Sequence, residues 1–183
     1  MILDSVERVV SLFETWGLDN YDEEITQLDH ALQTAAHARV AGSTDELIAA
    51  ALLHDIGHLI DLEAGGTVAA PISNQHDVIG AAALTPLFSP AVTGPIALHV
   101  RAKRYLACVE PQYLAALSAG SLASLAHQGG PMAQAEARQF ESTVGFAPAC
   151  ALRRWDDLGK VDGIDVPDLS SYLELLMRSA HTH

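Results

Sequence analysis

The sequence contains little of what builds disulfide frameworks, export signals or membrane anchors. Its only two cysteines, Cys108 and Cys150, lie far apart, which excludes a disulfide framework and a zinc knuckle. No basic segment followed by an apolar run opens the chain, so we expect no signal peptide. The longest apolar stretch, Ile48 to Leu53, is far too short to span a bilayer. These absences predict a cytoplasmic protein that does not associate with membranes.

Positive charge is also scarce. Lys and Arg together number 10 against 23 Asp and Glu, which leaves a formal net charge of −13. Such a surface repels phosphate backbones and argues against nucleic-acid binding as the function. An anionic substrate would need a local positive charge, from a metal ion or a buried lysine. No pattern indicates an oligomeric state.

What the chain does contain is apolar residues at helical spacing. They make up 49% of 183 residues, which fits one packed domain spanning residues 1–183. No stretch alternates with a period of two for long enough to form a strand, so the fold class is predicted to be all-α, a helical bundle. The polar, glycine-rich stretch from Asp61 to Ser73 reads as a loop. The predicted helices are Leu3–Trp16, Glu23–Ala41 and Leu47–Ile60, the last capped by Ser43 or Thr44, followed by Gln75–Leu84, Pro90–Tyr105, Pro111–Leu117, Ser121–His127, Ala133–Phe140, Ala147–Asp157 and Leu169–Ser179.

The chemistry centres on an adjacent histidine and aspartate, His54 and Asp55, at the end of an apolar helix. Burying both is costly unless something pairs with them. Imidazole and carboxylate both suit first-row divalent metals, so a metal ion is the natural partner. Gly57 removes a side chain where another group can approach closely, and His58 follows His54 by one helical turn.

His30 lies on the preceding helix, and the pattern His…His-Asp…Asp across separate helices resembles the HD superfamily of metal-dependent phosphohydrolases. The resemblance implies that His30, His54, Asp55 and a late aspartate hold one metal. Asp156 is the better match for the late aspartate, with Asp157 as its competitor. His76 and His99 lie on intervening helices, where they could complete a second site with Asp55 as the bridge.

Three segments narrow the resemblance to the phosphonate-cleaving HD-domain oxygenases, the 2-amino-1-hydroxyethylphosphonate dioxygenase group. They are Gln27–Gln33, His99–Leu106 and Gln128–Met132, and Arg154-Trp155-Asp156 with Gly159-Lys160 behind it continues the likeness. The His-Asp dyad is specific only to the superfamily, whereas the last two segments are far more selective. The likeness extends from about Tyr21 to Tyr172.

The resemblance to this group implies a mixed-valent Fe(II)/Fe(III) centre of two iron ions that uses O2 to cleave the carbon–phosphorus bond of a 1-hydroxy-2-aminoalkylphosphonate. The all-histidine and carboxylate ligand set suits a redox metal such as iron. Lys103, four residues after His99 on the same helix face, would meet the phosphonate. The resemblance assigns the rest of the phosphonate pocket to His58, Ser121, Ser124 and Gln128.

At the N-terminal side, the group carries a tyrosine that caps an iron and a glutamate that meets the substrate amine. Tyr21 and Glu23 match these positions, so that Tyr21, His58 and Lys103 are the expected catalytic residues. The segment before Gln27 is one residue shorter than in the group, and Glu24 competes with Glu23. The amine could be free or N-methylated. Aromatic residues make up only 5% of the chain, which favours a primary amine, because a trimethylammonium group prefers aromatic walls.

Two other functions use the same ligands. An HD phosphohydrolase would cleave a nucleotide or small phosphate ester with a metal-activated water. A regulatory HD domain without activity would be expected to have lost ligands, and none is missing here. The Lys103 and Gln128 segments favour the oxygenase. The scarcity of arginine, which would bind a polyphosphate, favours it as well.

Overall fold

The computed structural model describes residues 1–19, 25–66 and 75–181. Within them the regular elements are helices, and an isolated antiparallel bridge pairs Phe88 with Ala180. The α-helices in these ranges are α1 (Val6–Trp16), α2 (Gln27–Val40), α3 (Asp45–Leu53), α4 (Ile56–Glu63), α5 (His76–Leu84), α6 (Pro90–Val109), α7 (Pro111–Ala116), α8 (Ala119–His127), α9 (Gln134–Glu141), α10 (Phe146–Leu158) and α11 (Leu173–Ser179), with a 3₁₀ turn at Leu169–Tyr172. The predicted all-α fold class is confirmed.

Side-chain caps begin several of these helices. Thr44 accepts a hydrogen bond from the Leu47 amide at the start of α3, so Thr44, and not Ser43, is the cap. Thr26 does the same for the Asp29 amide at the start of α2, and Ser118 for the Ser121 amide at the start of α8. Each cap satisfies an amide that has no partner inside the helix.

The helix predicted over Leu47–Ile60 is wrong in one respect, because the structure divides it at the His54–Asp55 pair. Asp55 has φ −102° and ψ 13°, outside helical geometry, and α4 begins behind it. Side chains of consecutive residues in a regular helix point about 100° apart. The break therefore lets two neighbouring side chains enter the same interior space.

The core is built around α3 and α6. All residues from Ile48 to Leu53 on α3 are buried, and α3 packs against α2, α6 and α10. Helix α6, the longest described helix, packs against α5 on one side and α10 on another. A smaller cluster, formed by Ala102, Met132, Ala137, Phe140 and Ala149, joins α9 to α6 and α10. Five helices (α2, α3, α5, α6 and α10) thus surround one interior region. No helix in the described ranges is long and apolar enough to cross a membrane.

Two glycines let α4 and α5 approach each other. A Cβ added at Gly57 would lie 2.1 Å from the His76 carbonyl oxygen, and one at Gly80 would lie 3.1 Å from the Gly57 amide nitrogen. No side chain fits at Gly57 unless the backbone moves. The close approach expected at Gly57 from the sequence is therefore present, and it fixes the position of His76 at the start of α5.

We expect Gly57→Ala to lower the free energy of unfolding by about 1–3 kcal/mol or more, because the methyl group overlaps backbone atoms of α5. Gly94→Ala is the matched control. Gly94 lies inside α6 with nothing within 4 Å of its added Cβ, so alanine there should be neutral or stabilise the helix by up to about 1 kcal/mol. Urea unfolding of the two variants measures the difference. Equal stability of both variants would contradict the proposed contact.

Candidate metal centre

Four histidines and two aspartates, predicted from separate segments of the sequence, meet in the interior of the bundle. Each is at most 8% exposed. They come from four helices and the α3–α4 break: His30 from α2, His54 and Asp55 from the break, His76 from α5, His99 from α6 and Asp156 from α10. Two of the groups that these residues form, His30–His54–Asp55 and Asp55–His76–His99, have ligand atoms close enough to hold a metal ion.

The Asp55 carboxylate belongs to both groups. Its Oδ2 lies 3.6 Å from His30 Nε2 and 3.3 Å from His54 Nε2. Its Oδ1 lies 3.4 Å from His76 Nε2 and 3.5 Å from His99 Nε2. One carboxylate thus offers a separate oxygen to each of two histidine pairs, the arrangement that a bridging ligand needs.

Asp156 completes the first of these groups. Its Oδ1 lies 3.4 Å from His30 Nε2, and its Oδ2 lies 3.6 Å from His54 Nε2. Asp157, the competing candidate from the sequence, lies outside the cluster and contacts Arg153 and Tyr113 instead. The structure therefore brings Asp156, and not Asp157, against His30 and His54.

Backbone carbonyls orient three of the imidazole rings. His30 Nδ1 lies 2.8 Å from the Gly159 carbonyl, His54 Nδ1 2.9 Å from the Ala51 carbonyl, and His99 Nδ1 2.8 Å from the Ile96 carbonyl. A carbonyl only accepts hydrogen bonds, so each Nδ1 carries the proton and donates it. Each Nε2 then presents a lone pair to the interior, which is the tautomer that a metal ligand requires.

Gly159 makes the bond to His30 possible. A Cβ on Gly159 would lie 2.6 Å from Thr34 Oγ1 and 3.3 Å from the His30 carbonyl oxygen. The end of α10 therefore approaches α2 closely enough to reach the His30 ring only because residue 159 is glycine.

The charges of the cluster favour ionised carboxylates. Although burial opposes charge at every one of these groups, His54 holds the pKa of Asp55, and Arg153 the pKa of Asp156, well below the usual range. Burial alone would lower the pKa of His54, but Asp55 and Asp156 raise it to about 8. Burial lowers the pKa of His99. Asp156 thus has Arg153 as its compensating charge, whereas the charge that compensates Asp55 without a metal is a proton on an imidazole.

These observations fit metal ions. His30 Nε2 and His54 Nε2 lie 3.2 Å apart, and His76 Nε2 and His99 Nε2 lie 3.1 Å apart. Atoms that each lie about 2.1 Å from one ion are separated by about this distance. Asp55 Oδ1 and Asp156 Oδ1 are buried and have no hydrogen-bond partner in the described parts of the chain. Such oxygens are costly to bury, and a cation between the histidines would satisfy them.

Behind the cluster, a buried arginine supports Asp156. Arg153 Nη1 donates to Asp156 Oδ2 at 2.5 Å, and its Nε donates to Asp157 Oδ2 at 2.9 Å. The Tyr113 hydroxyl donates to the same Asp157 oxygen at 2.5 Å. Sequence reasoning missed Arg153, although its spacing of three residues from Asp156 and four from Asp157 on a helix is the pattern of an ion pair.

A polar pocket borders Asp156. The Lys103 ammonium, on α6, donates to the Ser124 hydroxyl of α8, and Lys160 donates to the Ser121 hydroxyl at 2.9 Å. Lys160 Nζ also lies 3.8 Å from Asp156 Oδ1. Burial, with Arg153 and Lys160 nearby, lowers the pKa of Lys103 to about 7. The sequence indicated Lys103, Ser121 and Ser124, but it assigned Lys160 no contact.

His58 lies against His76, one of the histidines of the cluster. Its ring stacks on that of His76, with centroids 4.2 Å apart. Burial and the neighbouring His76 lower the pKa of His58 to about 3, so its imidazole is neutral. Gln128 ends α8, and its buried Oε1 has no hydrogen-bond partner among the described residues. The structure does not describe Tyr21, Glu23 and Glu24, so the predictions for them lie outside the described residues.

Comparison with known proteins agrees with this geometry. Residues 28–120 match the family model of the HD domain. The chain is 49% identical over 170 residues to a hydroxymethylphosphonate dioxygenase from Gimesia maris, an alignment that covers 91% of this chain and 85% of that protein. It is 34% identical over 179 residues to a [1-hydroxy-2-(trimethylamino)ethyl]phosphonate dioxygenase (glycine-betaine-forming) from Leisingera caerulea, which covers 97% of this chain and 91% of the relative. The chain therefore belongs to the HD-domain family and, within it, to the group that contains these phosphonate dioxygenases.

Proposed function

We propose that this protein uses O2 to cleave the carbon–phosphorus bond of a 1-hydroxyphosphonate at a centre of two iron ions. The ions would be held by His30, His54 and Asp156 on one side and by His76 and His99 on the other, with Asp55 between them. The observation that carries the proposal is the Asp55 carboxylate, whose two oxygens each face a different histidine pair at 3.3–3.6 Å.

A redox metal in this site would supply the electrons that O2 activation requires, and the histidine and carboxylate ligand set suits iron. The protein's own residues would bind and orient the substrate. Lys103 is a buried cation beside Asp156, which suits it to an anionic phosphonate. His58, neutral and stacked on His76, can donate one N–H or accept one hydrogen bond without adding charge.

The names of the two relatives guide the choice of substrate. The substrates in both names have a hydroxyl on the carbon that bears phosphorus, but only the substrate of the second relative has a nitrogen group. The family resemblance of the sequence implied an amine-bearing substrate, 2-amino-1-hydroxyethylphosphonate or its N-methylated form. The relative that is 49% identical is named for hydroxymethylphosphonate, which has no amine. We therefore place hydroxymethylphosphonate first and keep 2-amino-1-hydroxyethylphosphonate as the second substrate to test.

The overall reaction balances without another reductant. Hydroxymethylphosphonate and O2 give formate and phosphate: the carbon–phosphorus bond breaks, carbon loses four electrons, and O2 takes up the same four. Phosphorus keeps its oxidation state. The alternative, an HD phosphohydrolase, would consume water and no O2. Its ligands would be the same, so oxygen dependence separates the two functions.

Substrate assays with iron-loaded protein test the proposal. We expect phosphate release from hydroxymethylphosphonate only after O2 is admitted to an anaerobic mixture, with about one O2 consumed per phosphate. His99→Ala should abolish the release, because it removes one side of the proposed centre. Phosphate release that is equal with and without O2 would favour the phosphohydrolase. No release from either phosphonate would overturn the proposed function.

Metal analysis tests the ligand set separately. After anaerobic iron loading and desalting, we expect about two irons per chain in the unmodified protein and about one in His76→Ala, because Asp55, His54, His30 and Asp156 remain. Asp55→Ala should retain less than one, since its carboxylate serves both pairs. His127→Ala is the control, because His127 is exposed and its ring bonds to the Ala123 carbonyl. Two irons retained by His76→Ala would refute its role as a ligand.

A further inference from the structure

We infer that Gln33, on α2, is a positioning residue for the metal centre. Its side-chain amide holds the tail of α10 (residues 159–161) where the Gly159 carbonyl meets the His30 ring, and this contact keeps His30 Nε2 directed at the cluster. The inference rests on the proposed function, because it concerns the metal centre of that reaction.

The His30 ring differs from two other rings of the cluster in the origin of its hydrogen-bond partner. The Nδ1 atoms of His54 and His99 each bond to the carbonyl of the residue three positions earlier, so the local chain supplies both partners. The partner of His30 Nδ1 is the Gly159 carbonyl, 129 residues away in the sequence. That bond therefore depends on how the tail of α10 packs against α2.

Helix α10 does not by itself fix the direction of the Gly159 carbonyl. The helix holds the amide side of this residue, since the Gly159 N–H donates to the Trp155 carbonyl at 2.9 Å. The ψ angle of Gly159 is 41°, outside helical geometry, and rotation about that bond turns the carbonyl. Glycine permits a wide range of backbone angles. The residues that follow Gly159 must therefore be held in place if its carbonyl is to stay on His30.

Gln33 provides that hold. Its Nε2 donates to the Val161 carbonyl at 2.8 Å, and its Oε1 accepts from the Val161 amide at 3.0 Å. A backbone carbonyl only accepts and a backbone N–H only donates, so these bonds fix the orientation of the Gln33 amide. Gln33 is 3% exposed, whereas Val161 is 51% exposed. Burial of the Val161 side chain therefore contributes little to holding the tail, and the paired hydrogen bonds take that role.

The spacing of residues on α2 links the two contacts. Gln33 follows His30 by three residues, so both side chains leave the same face of the helix. This face meets the tail of α10 at two neighbouring points, Gly159 and Val161. If the Val161 contact is lost, we expect the Gly159 carbonyl to turn away. The His30 ring then loses the bond that sets its tautomer and its strength as a ligand.

Zinc binding measures the effect without turnover. Gln33→Met keeps the length of the side chain and removes both hydrogen bonds to Val161. In His76→Ala protein, where the site that contains His30 remains, we expect Gln33→Met to weaken zinc binding by roughly 10-fold, the lower end of the effect of losing a hydrogen-bond partner of a metal ligand. Competition with a chromophoric chelator gives the affinity. Unchanged affinity would overturn the inference.

A second background separates positioning from a general loss of stability. In His30→Ala protein, Gln33→Met should leave zinc binding by His76 and His99 unchanged, because the ring through which Gln33 acts is gone. Weakening by the same factor in both backgrounds would show that Gln33 only supports the fold, and it would refute the positioning role. Gln139→Met replaces an exposed glutamine on α9 and is the control, which should change neither affinity.

Nuclear magnetic resonance of zinc-loaded protein tests each ring separately. In protein labelled with ¹⁵N at histidine, the Nδ1–H protons of His30, His54 and His99 should exchange slowly with water, because each bonds to a buried carbonyl. We expect Gln33→Met to speed exchange at His30 and to leave His54 and His99 unchanged, since the partners of these two rings are local. Equal changes at all three rings would contradict the inference.

A measurement on the unsubstituted protein guards against a variant that folds poorly. The Val161 amide should exchange slowly with deuterium although its side chain is half exposed, because Gln33 accepts its hydrogen bond. Rapid exchange would overturn the inference. The zinc experiments do not depend on O2 chemistry. Protein in which Gln33→Met weakens zinc binding as expected, but which releases no phosphate from either phosphonate, would refute the proposed function and leave this inference standing.

Discussion

The Asp55 carboxylate is the interaction on which the rest of the site depends. Its two oxygens face two separate histidine pairs, so one side chain sets the spacing of the whole cluster. This is possible because α3 ends at Leu53 and α4 begins at Ile56. A regular helix would have turned Asp55 away from His54. Interrupting the helix costs backbone hydrogen bonds. The buried apolar residues of α3 offset that loss, so the surrounding core holds the break in place.

Around that carboxylate, backbone atoms do much of the positioning. Three imidazole rings bond to carbonyl oxygens of Ala51, Ile96 and Gly159, which fixes their tautomer before any ion arrives. Two glycines, Gly57 and Gly159, allow the backbone contacts that bring His76 and the His30 partner into range. The rigidity of the site is therefore a property of the packed helices and not only of the ligand side chains.

The same helix that supplies Asp156 also joins the metal cluster to the polar pocket that borders Asp156. Arg153 contacts Asp156 and Asp157 together, and Asp157 orients Ser121 on α8. Lys160, just beyond the end of α10, lies between Ser121 and Asp156. The metal cluster and the polar pocket therefore share one set of contacts. The buried ion pairs fix their relative positions, because separating Arg153 from either carboxylate would leave an uncompensated charge in the interior.

The sequence by itself determined the all-α architecture, because the spacing of apolar residues follows the helical period. It also indicated the His54–Asp55 dyad, because a buried histidine and aspartate need a partner. The family resemblance added His30, His76, His99 and a late aspartate. The family resemblance supplied the preference for Asp156 over Asp157. Only the tertiary structure decided where the helix breaks between His54 and Asp55, since helix propensity is continuous through that stretch and the break depends on packing. It alone showed the contacts of Arg153 and Lys160, because an ion pair or a hydrogen bond across helices leaves no periodic pattern in the chain. Side chains far apart in the sequence acquire a shared role only when folding brings their atoms within bonding distance.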